Sequence, residues 1–303
     1  MLSDPAFTSP GHFFKGNIHT HSNRSDGALS PEEVCRRYRD AGYDFISLTD
    51  HFLPKYGFPV VGTEAYRSDR FTTILGAEVH APRTSLGEIW HILAVGLPAN
   101  FAPTGESEAG SDLAQRCVDA GAFVAIPHPG WYALTTEDAA SIPNAHAVEI
   151  YNHTSQVRTD RGDGAYLIDQ MLAAGRSINL CATDDAHFHC NDAFGGFVMV
   201  KAKANTPENL VEALKAGAYY SSQGPIIEDV RFSDDSVEVV TSPVNSIMAL
   251  GRGSLAVQSR EPGATRAVLP LDRLRRGGFV RIAVADAAGR RAWTNPVWFS
   301  VGK

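Results

Sequence analysis

Residues 19–27 read HTHSNRSDG, and this stretch decides how the rest of the chain is interpreted. Side chains two positions apart on an extended strand point to the same side, so His19 and His21 can present two imidazoles to one cation. Asp26 follows in a Ser-Asp-Gly turn. A half-buried strand carrying two surface histidines would give the same pattern, so the interpretation depends on the other motifs of the chain.

Similar polar residues border other apolar runs in the first two thirds of the chain. They occur in Thr49-Asp50-His51, Gly76-Ala77-Glu78, Pro127-His128-Pro129 and Asp184-Asp185-Ala186-His187, and in His91, which opens a run. A parallel α/β barrel gathers the carboxyl ends of its strands onto one face, where sites are built. Imidazole and carboxylate ligands suit Zn, Mn or Fe. The sequence therefore predicts a metal site on that face.

Short apolar runs alternate with amphipathic stretches from Lys15 to about Ser222. The predicted strands are Asn17–Thr20, Phe45–Leu48, Thr73–Val79, His91–Val95, Phe123–Ile126, Ala147–Tyr151, Ser177–Ala182 and Phe197–Val200. Ser30-Pro31 and Thr206-Pro207 each place a capping side chain before a proline, which predicts two helix starts. Strands that alternate with helices predict a mainly parallel sheet with right-handed crossovers, either closed as a barrel or open.

The sequence changes character after Gly224-Pro225. The β-type runs are Ile226–Arg231, Ser236–Thr241, Ser246–Leu250, Ser254–Gln258, Arg266–Leu271, Phe279–Ala285 and Ala292–Phe299. Turn residues separate them, which predicts an all-β sandwich or open barrel. Residues 224–303 carry eleven basic and eight acidic side chains, a net charge of +3, so residues 1–223 carry −10 of the total of −7. We predict two domains, 1–223 and 224–303.

Composition and charge narrow the class of protein. The 303 residues have a net charge of −7, which argues against a general nucleic-acid coat because that function needs clustered positive charge. No stretch approaches the ~18 apolar residues of a membrane span, and the first residues lack the features of a signal peptide. Four cysteines without a CxxC pair indicate free thiols in a reducing compartment. We expect a soluble cytoplasmic protein with no membrane partner; the oligomeric state stays open.

The motifs HTHS…SDG, TDH, GAE, PHP and DDAH, in this order, resemble the signature of the PHP (polymerase and histidinol phosphatase) domain family over about residues 15–223. The EIYN of residues 149–152 and a Trp-Thr-Asn-Pro near the C-terminus are most similar to the CehA/McbA-type branch of metal-dependent phosphoesterases, which carry a β-rich C-terminal domain. The resemblance implies an α/β fold, a distorted seven-stranded (β/α) barrel with three divalent metal ions on its C-terminal face.

The resemblance also implies which residues hold these ions. The ligand sets are His19, His21, Glu78 and Asp185 for the first metal, Asp26, His51 and His187 for the second, and the bridging Glu78 with His91 and His128 for the third. Asp26 stands where some relatives have His. We prefer Asp185 to Asp184 as the ligand because Asp-x-His places both side chains on one side of an extended segment. Asp184 then orients a ligand.

Closely spaced divalent ions supply a hydroxide at neutral pH, polarise the attacked centre and neutralise the leaving oxygen. The family's commonest activity is phosphoesterase, so we expect hydrolysis of a small phosphate ester, with no nucleic-acid polymer as partner. The residues assigned to catalysis are His19, His21, Glu78 and His187. Predicted loops on the same face carry cations that could bind an anionic part of the substrate; these are Arg24, Lys55, Arg83 and Arg158.

Other functions fit the same sequence. An apolar pocket lined by Trp131, Phe52 and Trp90 would favour hydrolysis of aryl carbamates or related esters at the same metal centre. A binding module with an inactive metal face is a further alternative, although all the ligand positions are intact. The β-rich region could also bind a carbohydrate or a protein partner. Its basic stretch at residues 273–276 is short, which favours an exposed turn over a nucleic-acid patch.

Overall fold

A computed structural model describes residues 2–299, and most of its strands belong to a single sheet that runs through both halves of the chain. The first half contains β1 (His12–Asn17), β2 (Phe45–Leu48), β3 (His51–Phe52), β4 (Thr72–Arg83), β5 (Ile89–Val95), β6 (Phe123–Ile126), β7 (Ala147–Asn152), β8 (Asn179–Thr183), β9 (Phe197–Ala202) and β10 (Tyr219–Ser222). The second half contains β11 (Ile227–Phe232), β12 (Ser236–Val244), β13 (Ser246–Leu250), β14 (Ala256–Ser259), β15 (Ala264–Pro270), β16 (Phe279–Ala285), β17 (Arg291–Thr294) and β18 (Val297–Trp298).

The helices are short and lie between these strands. They are α1 (Pro5–Thr8), α2 (Pro31–Asp40), α3 (Gly110–Asp119), α4 (Thr136–Ala140), α5 (His153–Thr159), α6 (Ala165–Ala173) and α7 (Pro207–Lys215), with 3-10 turns at Pro54–Tyr56, Glu64–Tyr66 and Leu274–Gly277. Both predicted helix starts are confirmed, because the hydroxyls of Ser30 and Thr206 accept hydrogen bonds from the first turns of α2 and α7. In the described part of the chain, no helix is long and apolar enough to span a membrane.

The fold is mixed α/β, and its first half forms the distorted barrel that the sequence predicts. Strand β1 pairs in parallel with β2, and β2 with β4. Strands β6, β7 and β8 are also parallel, whereas β5 runs antiparallel to both β4 and β6. An isolated parallel bridge between Thr20 and Ala186 joins the segments that follow β1 and β8. These contacts bring the strand ends that carry the motifs to one face.

The second half is β-rich and continues the same sheet. Strand β9 pairs with β1 and β10, and β10 pairs with β17. From there the sheet continues through β16 and β13 to β14, while β11, β12 and β15 form a separate sheet. The apolar side chains between them, among them Val239, Ile247, Leu269 and Val284, form the core of a sandwich. The boundary between residues 223 and 224 stays a prediction.

The predicted strand Ala292–Phe299 is interrupted at Asn295, and the interruption has a structural role. Asn295 is buried; its side chain accepts a hydrogen bond from Leu180 N and donates to the carbonyl oxygens of Gly217 and Tyr219. A second link joins the halves at Arg281, whose buried guanidinium donates to both carboxylate oxygens of Asp169 on α6. The C-terminal region is therefore fixed to the barrel by buried polar contacts.

Strand β1 approaches β2 closely at Gly16, which lies opposite Phe45. A β-carbon at position 16 would overlap the Phe45 ring, which is fully buried. We therefore expect Gly16→Ala to lower the free energy of unfolding by about 1–3 kcal/mol, the usual cost of overpacking. Urea titration of parent and variant measures the difference.

Phe45→Leu provides the control because it removes the ring that position 16 would meet. Residues in direct contact do not contribute additively to stability. The double variant should therefore lose less stability than the two single variants together. Strict additivity would show that the Phe45 ring is not what excludes a larger residue at position 16.

Candidate metal centre

A cleft of about 290 Å³ opens at the end of the barrel where the motif residues meet. It is lined by Asp26, His51, Glu78, His91, His128, Trp131, Thr154, Ser155, Arg158, Thr159, Asp185 and His187. His19 and His21 lie beneath it and are fully buried. His91 reaches this edge from the start of β5 because β5 runs antiparallel to β4.

The structure brings all the sequence-predicted metal ligands together. Four groups each offer ligand atoms that lie within 4.8 Å of one another: His19, His21 and Asp185; His19, Glu78 and His128; His21, Asp26, His51 and His187; and His51, Glu78, His80 and His91. The last group includes His80, a residue to which the sequence assigns no role. Neutral imidazoles and carboxylates in such groups form the donor sets that bind Zn, Mn or Fe.

Glu78 lies at the centre of the cluster. Its Oε1 is 2.7 Å from His91 Nδ1 and 3.0 Å from His128 Nε2, while its Oε2 is 2.6 Å from His51 Nδ1. Strand β3 sets the last contact because His51 pairs with Glu78 in register. Burial raises the pKa of Glu78, but His91 and His51 outweigh it and hold that pKa well below its usual range. The carboxylate is therefore ionised and faces several imidazoles at once.

Several buried donor and acceptor atoms of the cluster make no hydrogen bond with the residues that the structure describes. They are Nε2 of His19, Nδ1 of His21, Oε2 of Glu78 and Nδ1 of His128. His19 Nδ1 donates to Glu149 at 2.8 Å, and Nε2 of the same ring faces Asp185 Oδ1 at 3.2 Å. A ring nitrogen and a carboxylate oxygen at that distance need a cation between them, either a proton or a metal ion. The residues present therefore fit a metal site.

The protonation states also suit metal binding. Burial, together with the neighbouring His187 and His51, lowers the pKa of His21 to about 3. Burial alone would raise the pKa of Asp185, but the nearby His19 and a hydrogen bond from His21 bring it below its ordinary value. At neutral pH His21 is thus a neutral imidazole and Asp185 an ionised carboxylate, the forms that metals bind. Burial lowers the pKa of His19, His51 and His187, but the neighbouring carboxylates outweigh it and raise all three above the ordinary value, so these rings would release a proton when a metal binds.

Glu149 positions two of these residues, and sequence reasoning missed it. Its Oε1 accepts hydrogen bonds from His19 Nδ1 and Thr183 Oγ1, and its Oε2 accepts from His128 N and Asn152 Nδ2. The carboxylate is fully buried on β7. The sequence feature that indicates its role is an acidic residue within the apolar run Ala147–Tyr151, because burying a charge is costly unless it is paired.

Asp50 plays a similar part for the first motif loop. Its carboxylate accepts hydrogen bonds from the backbone N–H and the hydroxyl of Ser22 and from the hydroxyl of Ser25. These bonds fix the turn that carries Asp26, whose Oδ1 lies 3.4 Å from His187 Nε2. The Thr49-Asp50-His51 motif therefore supplies a cluster residue and the support for another one.

The structure separates the two acids of the DDAH motif. Asp185 lies in the cluster, 2.9 Å from His21 Nε2. Asp184 accepts hydrogen bonds from Tyr38 Oη and from the backbone N–H groups of residues 194–196, away from the cluster. The segment is not extended as the sequence argument assumed, because Asp185 has φ 57°. That left-handed turn, rather than strand alternation, points the two carboxylates in different directions.

Of the four predicted anion-binding cations, only Arg158 lines the cleft. Arg24, Lys55 and Arg83 are exposed and lie outside its lining; Arg83 donates to the Gly87 carbonyl in the β4–β5 hairpin, and Lys55 lies over the Tyr56 ring.

Of the three aromatic residues predicted to line an apolar pocket, one lines the cleft and two do not. The Trp131 side chain is 40% exposed and lines the cleft, with its ring centroid 5.2 Å from that of His128. Phe52 and Trp90 are buried in the barrel core. Trp131 is therefore the aromatic residue of the predicted apolar pocket that a ligand in the cleft can meet.

Glu149→Gln tests the role of the buried carboxylate. Glutamine keeps the shape but turns one acceptor oxygen into an NH₂ group that faces existing donors. We expect the free energy of unfolding to fall by about 1–3 kcal/mol, the cost of leaving a buried donor unpaired. Chemical denaturation of the metal-free protein measures the change. Glu261→Gln, on the exposed surface, is the matched control, and equal stability of both variants would contradict the assignment.

Comparison with known proteins supports the motif analysis. Residues 17–139 match the PHP domain family, which confirms the resemblance predicted from the motifs. No curated protein sequence matches the chain. The assignment to the CehA/McbA-type branch stays a prediction.

Solved structures are similar in fold. A two-domain protein from Bacteroides vulgatus, described as containing a predicted PHP-like metal-dependent phosphoesterase, is 18% identical, with 94% of each chain covered and a TM-score of 0.55. An amidohydrolase from Chromobacterium violaceum, with bound sulfate and no metal, is 16% identical; 58% of this chain and 89% of that chain are covered, with a TM-score of 0.43. The first match extends over both the barrel and the β-rich region.

Proposed function

Because the chain carries a match to the PHP domain family over residues 17–139, we propose that it is a metal-dependent hydrolase and, more narrowly, a phosphoesterase of small phosphate esters. The observation that carries the proposal is the arrangement around Glu78, a buried carboxylate that belongs to two groups of close ligand atoms, one with His19 and His128 and one with His51, His80 and His91. That geometry suits a carboxylate shared between metal ions, which hydrolases use to activate water.

We assign three divalent ions, Zn, Mn or Fe, to the cluster. The proposed ligands are His19, His21, Glu78 and Asp185 for the first, Asp26, His51 and His187 for the second, and Glu78, His91 and His128 for the third. Bound together, such ions supply a hydroxide at neutral pH and neutralise charge on the leaving oxygen. Glu149 accepts a hydrogen bond from Nδ1 of His19, which would leave Nε2 of that ring available to bind an ion.

The cleft wall formed by helix α5 favours an anionic ligand. The hydroxyls of Thr154 and Thr159 already donate to backbone carbonyl oxygens. Arg158 lies on the same helix, is exposed, and forms no ion pair with the acids that the structure describes. A guanidinium that lines a cleft and is not engaged elsewhere can bind a phosphate or carboxylate through two parallel hydrogen bonds. Arg158 is therefore the proposed contact for a non-scissile anionic group.

Hydrolysis of aryl carbamates at the same metal centre is less well supported. The sequence predicts an apolar pocket of Trp131, Phe52 and Trp90 for that reaction, but Phe52 and Trp90 are buried in the core. The cleft instead combines one aromatic wall with polar and charged residues. These residues favour a substrate that carries negative charge.

Metal analysis tests the centre directly. The parent protein, loaded and then freed of excess metal, should bind more than one transition-metal ion per chain. Glu78→Ala should lose more metal and more phosphatase activity than His91→Ala, because Glu78 is assigned to two ions and His91 to one. Elemental analysis, with circular dichroism as a check on the fold, gives both results.

Two outcomes would contradict this assignment. A parent that binds at most one ion when fully loaded excludes the three-metal centre. Equal metal content in Glu78→Ala and the parent shows that Glu78 is not a bridging ligand. A parent that binds several ions but hydrolyses neither phosphate esters nor aryl carbamates would instead support a non-catalytic metal-binding module.

Arg158→Ala tests the anionic substrate. We expect KM to rise more than kcat falls, as for uniform binding of a group remote from the reaction. We also expect kcat/KM of the parent to fall with added salt, because screening weakens attraction of an anion to the cleft. Arg83→Ala removes an exposed arginine outside the cleft and is the matched control. Better turnover of neutral aryl esters, with no effect of salt or of Arg158→Ala, would favour the carbamate reaction.

A further inference from the structure

His80 belongs to the cluster, although neither the motifs nor the assigned ligand sets include it. It lies on β4 two residues after Glu78, so its side chain points to the same side of the strand. It pairs with His91 across the β4–β5 hairpin and is buried. A buried histidine in such a position needs partners for both of its ring nitrogens.

Both partners of the His80 ring are well defined. Nδ1 lies 3.1 Å from the Trp90 carbonyl oxygen, and Nε2 lies 3.0 Å from His51 Nδ1. A carbonyl oxygen only accepts, so Nδ1 of His80 must carry the proton. In the neutral ring Nδ1 holds the single proton, so Nε2 of His80 is an acceptor, and it faces His51 Nδ1.

This acceptor determines which nitrogen of His51 carries hydrogen. His51 Nδ1 must donate to His80 Nε2, because two lone pairs at 3.0 Å would repel each other. Glu78 Oε2 lies closer to His51 Nδ1, at 2.6 Å, but makes no hydrogen bond with the described residues. The other nitrogen, Nε2 of His51, faces Asp26 Oδ2 at 3.4 Å.

We propose that His80 is a positioning residue that accepts a hydrogen bond from His51 Nδ1 and thereby directs His51 Nε2 toward a metal ion. The inference rests on the proposed function, since it assigns a role to a residue around the same centre. A partner that fixes the ring orientation and tautomer of a metal ligand raises metal affinity, and its loss typically costs about 10- to 100-fold.

The hydrogen bond can be observed without metal. In the ¹⁵N-labelled metal-free protein, a scalar coupling should connect Nδ1 of His51 with Nε2 of His80 across the N–H···N bond. In the zinc-loaded protein, the ¹⁵N shifts should show His51 bound through Nε2 with its Nδ1 still protonated. Absence of the coupling, or coordination of zinc through Nδ1 of His51, would overturn the inference.

Two substitutions separate positioning from packing. His80→Leu fills similar space but offers no acceptor, whereas His80→Gln can accept from His51 and donate to the Trp90 carbonyl. We expect His80→Leu to weaken binding of one zinc ion, the one assigned to His51, by about 10- to 100-fold and His80→Gln to recover most of that loss. Competition with a zinc chelator measures the dissociation constants.

His146→Leu is the matched control. His146 Nδ1 accepts a hydrogen bond from Val124 N at the opposite ends of β6 and β7, outside the cluster. Its replacement should leave zinc affinity unchanged. If His80→Leu and His80→Gln lose equal zinc affinity, or if His80→Leu loses none while the parent binds zinc, the role of His80 is overturned. The proposed function is not affected by either result. A parent that binds no zinc overturns the proposed function, and the inference with it.

Discussion

The buried carboxylate of Glu149 is the constraint on which the arrangement of the site depends. It accepts hydrogen bonds from groups that follow β1 and β6, from a residue of β8, and from a second residue of its own strand β7. A carboxylate in the interior is stable only with such donors. The same bonds therefore hold the barrel strands together at this end and set the orientation of His19.

Near Glu149, the cluster brings together buried imidazole and carboxylate groups whose burial would be unfavourable without a cation. Buried imidazole nitrogens and an oxygen of Glu78 lack hydrogen-bond partners among the described residues, and Nε2 of His19 lies 3.2 Å from Asp185 Oδ1. Supporting contacts fix the geometry from outside: Asp50 holds the first motif loop, Glu149 holds His19, and His80 contacts His51. Their shared effect is to present ligand atoms in fixed directions before any ion binds.

The β-rich region is attached to this barrel by more than a linker. The sheet is continuous from β10 to β17, and the side chain of Asn295 bonds to backbone groups at β8 and β10. Strand β8 leads directly to Asp185 and His187. The Trp-Thr-Asn-Pro motif near the C-terminus thus supports a strand that leads to site residues, although it lies far from them in the sequence.

The sequence by itself determined the α/β class, most strands, two helix starts and the motif residues that meet at the cluster. These features follow from local patterns, because apolar periodicity, caps and strand-end polar residues act over a few neighbouring positions. Only the tertiary structure decided which cations enter the cleft. Arg83 ends site strand β4 and Arg158 lies on the helix after β7, but the hairpin at residues 83–87 turns Arg83 away. The roles of Glu149, Asp50 and His80 depend on contacts between strands distant in the chain, and the directions of Asp184 and Asp185 depend on one left-handed residue. Such contacts leave no periodic signal, since each is set by how the elements pack.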